Sequence, residues 1–183
     1  MTRPLRSDAS RNRDKLLTAA AQEFAAQGLD APLEHIARRA GVSIGTLYNH
    51  FPTRDDFLNA LLPSRLGPAL EGLAAAAHAT DDPWQAFETY VTGLCALQAT
   101  DHGLNDAISQ RIQLTPEVLA VCQQGLEHVQ RIIGRAKADG RLRPDFEPSD
   151  LVPLQWAMSQ VIQRDPTGWR RFLGFYLDGL RTG

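Results

Sequence analysis

Residues 32–51 hold two short apolar repeats of helical period with only three residues between them. No other stretch constrains the fold as tightly. Leu33, Ile36, Ala37 and Ala40 recur at i, i+3, i+4 and i+7, the pattern of one buried helix face. Pro32 suits the first turn of that helix and Gly41 its end. Ser43 is placed to cap a second, shorter helix that carries Leu47, Tyr48 and Phe51 and is stopped by Pro52. A helix of about two turns is unstable alone in water. Leu47 and Phe51 must therefore anchor it by packing, which leaves its opposite face free to meet a partner. Gly45 points the same way: inside a helix glycine costs about 1 kcal/mol relative to alanine, unless a partner or another helix must approach closely there.

The remaining chain is helical in pattern too, with no convincing alternation of apolar and polar β-branched residues. The expected fold class is all-α, with an N-terminal three-helix helix-turn-helix domain over residues 1–62 and a larger helical C-terminal domain over 63–183. Ser10 can cap the first helix, whose stripe is Leu17, Ala20 and Phe24, and Gly28 can end it. Thr53 caps the fourth, with Asp55 and Asp56 at the positive end of its dipole. Pro63, Gly67 and Pro68 read as an interruption that marks the joint between domains. Further helices are expected to about Ala79, from Asp82-Pro83 to about Ala99, from Thr115-Pro116 to Ala138, and from near Pro148 and Pro166.

Net charge is close to neutral, with 19 Lys and Arg against 21 Asp and Glu, but the first 62 residues carry eight against seven. Arg3, Arg6, Arg11 and Arg13 cluster around a single acid, Asp8, either as a solvated tail or as a basic arm (residues 1–12) that neutralises phosphate. No apolar run is long enough to span a bilayer and the opening residues lack the apolar stretch of a signal peptide, so no membrane partner and a cytoplasmic location are expected. Cys95 and Cys122 lie in apolar helical patterns and read as buried free thiols. His35, His50, His78, His102 and His128 show no metal-ligand spacing, and there is neither a nucleophile elbow nor a Gly-rich phosphate loop after a strand. These absences argue against an enzyme, a metal site and a cofactor.

The run Ile36-Ala37-Arg38-Arg39-Ala40-Gly41-Val42-Ser43-Ile44-Gly45-Thr46-Leu47-Tyr48-Asn49-His50-Phe51 has the organisation of a helix-turn-helix, whose second helix enters the DNA major groove. From Arg13 to Leu62 the sequence resembles the DNA-binding domain of the tetracycline-repressor-like (TetR) family: Ile-Ala, Ala-Gly-Val-Ser, Gly-Thr-Leu-Tyr, His-Phe and a basic residue opening the fourth helix. Asp30-Ala31-Pro32-Leu33, Phe51-Pro52-Thr53-Arg54 and Gly140-Arg141-Leu142-Arg143-Pro144-Asp145 resemble the branch with an SbtR-type C-terminal domain. The resemblance implies a homodimeric regulator of double-stranded DNA, a repressor at a palindromic operator, with an unknown small apolar or aromatic effector.

By that resemblance Ser43, Thr46, Tyr48, His50 and Arg54 would grip phosphates, and Ile44, Gly45 and Asn49 would lie nearest base edges. Hydroxyls, a phenol and basic groups suit phosphate oxygens. Asn49 could read adenine and Ile44 a thymine methyl. The chain departs from the family at Ala31 and Pro32, where Thr is frequent, and at Asn49, where the branch often carries Arg. Residue by residue, plainer roles stand beside these: Tyr48 as a core residue, His50 as a cover for Phe51, Arg38 and Arg39 as a solvated face.

In the second domain Trp84, Phe87, Val91, Leu94 and Gln98 repeat at helical spacing, with Trp156 on a helix that would pack nearby. The stripe reads as core on its own and as a ligand pocket, with Arg111 among its polar groups, by family resemblance. Trp169, Phe172, Leu173, Tyr176 and Leu177 form a broad apolar face on the last helix, with Leu154, Met158 and Val161 on the one before it. One such face could finish the monomer's core; the resemblance implies a four-helix dimer interface. Control by a partner protein alone, or activation instead of repression, would leave the same sequence features.

Overall fold

The computed structural model describes the backbone of residues 5–110 and 115–182, and the side chains of 8–109 and 115–182. These residues form α1 (Leu5–Gln27), α2 (Leu33–Ala40), α3 (Ile44–His50), α4 (Arg54–His78), α5 (Pro83–Thr100), α6 (His102–Gln110), α7 (Pro116–Ala138), α8 (Leu151–Arg164) and α9 (Trp169–Leu180), with a single 3-10 turn, Pro148–Asp150, ahead of α8. The all-α expectation holds among the described residues, where β pairing is limited to one bridge between Leu142 and Arg181.

Two apolar cores form. The first gathers Leu16, Ala20 and Phe24 of α1, the four expected residues of α2, Leu47 of α3 and Phe51, and is completed by Phe57, Leu58 and Leu61 of α4 and Ala107 of α6. The second joins Ala74 and Ala77 of α4 to α5, α7, α8 and α9. α4 thus belongs to both. It runs unbroken through Pro63 and Pro68, against the expected interruption there. An interior proline removes a helical hydrogen bond at a cost of about 3 kcal/mol or more, but the burial of α4 in a core at each end outweighs that local preference.

Two other boundaries move. α1 begins at Leu5 and Ser10 lies inside it, so the expected arm of residues 1–12 is helical from Leu5 onward, and residues 1–4 lie outside the described residues. α6 was not visible in the periodicity because the face it buries is small and polar: Gly103, Asn105 and Ala107. Elsewhere the local signals behave as expected. Thr53 and Asp56 form a reciprocal capping box at α4, and Asp82 caps α5 by accepting from the Gln85 N–H at 2.8 Å. Gly28 and Gly41 take the left-handed φ values of +76° and +69° that only glycine adopts without strain.

The terminal helices require a correction. Leu154, Met158, Trp169, Leu173 and Leu177 are all at most 4% exposed within a single chain. They close the chain's own second core, so they have no surface to offer a second copy. What α8 and α9 leave outside is Val152, Trp156, Phe172 and Phe175, the last 63% exposed, with Val161 and Tyr176 partly buried beside that core.

Candidate nucleic-acid interface and cavity

α3 is held from beneath and open above. Leu47 is fully buried, and the Phe51 ring stacks on Phe57 with centroids 4.0 Å apart, while Phe57 meets Phe24 of α1 edge-on at 6.2 Å. This aromatic row supplies the packing that a seven-residue helix cannot supply for itself. The turn before it closes through Gly41, whose N–H reaches the Arg38 carbonyl at 3.2 Å while Val42 N–H reaches that of Ala37 at 3.1 Å.

The outward set matches the sequence expectation in part. Ser43, Ile44, Gly45, Tyr48 and Asn49 are exposed; Thr46 and His50 are half-buried. Tyr48, at 47% exposure, is not a core residue. Ser43 Oγ accepts the Thr46 N–H at 3.1 Å and lies 2.9 Å from Thr46 Oγ1. One hydrogen serves that hydroxyl pair, so the second O–H can be donated outward. A Cβ built on Gly45 would meet nothing closer than Ser43 Oγ at 3.9 Å, so among the described residues no other helix explains the glycine. His50 leans on Phe51, its ring centroid 6.3 Å away, and Arg39 is engaged by Glu23 at 2.6 Å.

Arg54 has an internal duty. Its Nη1 donates to the carbonyls of Leu29 and, at 2.7 Å, Ala31, in the turn between α1 and α2. The Leu29 N–H is in turn donated to Asp106 Oδ2 on α6 at 2.9 Å, and Gln163 of α8 donates to Asp106 Oδ1 at 3.1 Å. The sequence offered no sign of Asp106, because its partner is a backbone N–H 77 residues away.

A cavity of about 480 Å³ lies between α4, α5, α6, α7 and α8. Leu94, Gln98 and Trp156 line it as expected, whereas Trp84, Phe87 and Val91 do not. Those three face the second core on the other side of α5, where Phe87 meets Phe146 edge-on at 5.5 Å. Arg111 lies outside the described residues. Leu62 and Leu66 of α4, Cys122 of α7 and Gln155 of α8 complete the wall in places the sequence did not single out. Burial pushes the Tyr90 hydroxyl and the Cys95 thiol each up to about 12, so both stay protonated. A smaller hollow of about 200 Å³ towards α1 shares Leu62, Leu66, Leu97 and Leu104 with it, and the Arg65–Asp101 ion pair, 2.6 Å, lines that hollow.

Residues 16–61 match the family of bacterial regulatory proteins of the tetR type. Residues 82–182, more than half of the chain, match the C-terminal domain of SbtR-like transcriptional regulators. The chain belongs to the TetR family of transcriptional regulators. Members of this family bind DNA and dimerise. Over 69 residues this regulator is 42% identical to the uncharacterised HTH-type regulator TtgW of Pseudomonas putida, covering 37% of this chain and 52% of that one, so the match spans about half of the curated relative. Along nearly its full length it is similar to the TetR regulator SCO0520 of Streptomyces coelicolor, 30% identical, covering 92% and 98% of the two chains with a TM-score of 0.56. The structure of RolR shares the fold at 19% identity and a TM-score of 0.66, covering 96% and 90%. The SbtR-type match accounts for the segment 140–145: Gly140 turns at φ +80°, Leu142 is buried and bridges to Arg181, and Arg143 pairs with Asp145 at 2.6 Å. Among the described residues no helix is long and apolar enough to cross a membrane.

Proposed function

We propose that this TetR-family regulator is a homodimeric repressor that reads a palindromic operator with α3 and leaves it when a small apolar or aromatic molecule fills the cavity. In this reading residues 1–62 are the DNA-binding head and 63–183 the effector and dimerisation domain, with α4 shared between them. The observation that carries it is the outward face of α3, where Ile44, Gly45, Tyr48 and Asn49 stand exposed on a helix whose inward face is wholly committed to packing. Such a face suits the major groove, with Asn49 and Ile44 at base edges and Ser43, Thr46 and Tyr48 at phosphates.

Dimerisation through the outer surfaces of α8 and α9, centred on Phe172 and Phe175, would place two heads about one two-fold axis. The cavity supports ligand control, and RolR, of the same fold, was solved with resorcinol. The route is short: α6 contributes Leu104, Ala107 and Ile108 to the cavity wall and Asp106 to the Leu29 N–H. Genome-wide mapping of bound sites followed by footprinting tests the proposal. Inverted half-sites with centres ~34–36 Å apart, or a multiple of that, are expected; protection of a single unrepeated half-site would sink it.

A further inference from the structure

We propose that the cavity selects an uncharged, largely apolar molecule bearing one hydroxyl or amide group, which docks on the side-chain amide pair Gln98–Gln155. The proposal deepens the ligand-release reading and rests on it. Gln98 of α5 is only 2% exposed, and its Nε2 donates to Gln155 Oε1 on α8. That single bond leaves Gln98 Oε1 buried with no hydrogen-bond partner and Gln155 Nε2 with nothing but the weakly accepting Cys95 sulfur beside it. Exchanging oxygen and nitrogen in both amides preserves the mutual bond and again leaves one acceptor and one donor. The demand on a ligand is therefore the same in either arrangement.

Each unsatisfied buried polar group carries its full desolvation penalty uncompensated, and two apolar side chains would line the same wall without that cost. The pair is thus poorly explained by folding alone. Both atoms are covered although the two side chains line the cavity, so a ligand hydroxyl or amide reaches them once either glutamine turns, and it then donates to the free acceptor and accepts from the free donor. A hydrocarbon or halide does neither adequately, and a carboxylate can only accept.

Charge adds a second filter. None of the described lining residues is Lys, Arg, His, Asp or Glu, so among them an anion stripped of water finds no counter-charge. The Cys95 thiol beside Gln155, kept protonated by burial, supplies no charge either.

The test uses the full-length protein and three probes of equal chain length: 1-decanol, 1-chlorodecane and decanoate. Binding is followed by calorimetry and by tryptophan fluorescence, since Trp156 lines the cavity. 1-Decanol should bind at least tenfold more tightly than either of the others, a difference of about 1.4 kcal/mol. The near-isosteric Gln98→Met and Gln155→Met should each erase the gap between 1-decanol and 1-chlorodecane, with 1-chlorodecane still bound and thermal unfolding showing that the variants remain folded. Equal affinity for all three probes in the unsubstituted protein overturns this proposal and leaves ligand control standing. So does a preference for 1-decanol that survives both substitutions. No binding by any of the three overturns the proposal and the cavity reading together. The comparison within the unsubstituted protein stands even if a variant fails to fold.

Discussion

α3 and α9 are both short amphipathic helices, yet the residues their sequences advertise end up on opposite sides. On α3 the polar and small residues singled out for DNA are mostly the ones left outside, with Leu47 and Phe51 turned in. On α9 the apolar residues proposed for a partner are divided: Trp169, Leu173 and Leu177 turn into the chain's own core, and Phe172 stands outside together with Phe175. A polar side chain on a helix that must pack reveals its direction by elimination. An apolar one does not, because burial against the same chain and burial against a second copy satisfy the same hydrophobic demand.

The largest test of this contrast is Leu173→Asp against Phe175→Glu. Placing a carboxylate at the 2%-exposed Leu173 should cost more than about 4 kcal/mol and abolish cooperative unfolding followed by circular dichroism. Phe175→Glu should keep the thermal midpoint of the isolated fold and shift the sedimentation mass from dimer to monomer. If Leu173→Asp gives a well-folded monomer, the division of α9 drawn here is wrong.

Next in size is Arg54→Ala. Its charged bonds to the turn carbonyls of Leu29 and Ala31 are each of a kind worth about 1.5–3 kcal/mol, and urea unfolding should show a loss in that range without any DNA present. Unchanged stability together with weakened DNA binding would return Arg54 to a purely phosphate-facing role.

Asn49→Ala, by contrast, should leave stability within about 0.5 kcal/mol while costing about 1–3 kcal/mol at one base position of the operator. Measuring the variant on operator and scrambled DNA decides it: an unaltered ratio of specific to non-specific affinity removes Asn49 from base reading.

The smallest effect is expected at Gly45. Gly45→Ala brings its methyl group into no more than ordinary contact with Ser43 Oγ, in the first turn of α3, and should stabilise the fold by at most about 1 kcal/mol, yet weaken operator binding if DNA approaches the bare backbone. Stabilisation with full affinity would mean that Gly45 marks no close approach.

Legibility followed the range of the interactions. Caps and turns are local, so Ser43, Thr53, Gly28 and Gly41 could be placed from neighbouring residues alone. α2 was readable to the residue because its four apolar positions have a single core to enter. Asp106 and Gln155 were not, since their partners lie 77 and 57 residues away and no spacing encodes them. The helical period of Trp84, Phe87, Val91, Leu94 and Gln98 was correct, but it could not say that α5 carries a core on one side and a cavity on another. At Pro63 and Pro68 local propensity pointed the wrong way, because α4 draws its stability from two cores the prolines do not touch.

The double membership of α4 bears on how regulators of this design diversify. Leu62 and Leu66 belong to the larger cavity and to the hollow beside α1 at once, so enlarging or reshaping the ligand site through them also disturbs the seat of the DNA-binding head. The α7 and α8 walls, at Cys122, Leu126, Val152 and Gln155, do not line that hollow. Descendants of this chain would acquire new effectors most readily through substitutions on α7 and α8, while α4 stays comparatively still as the axis both tasks turn on.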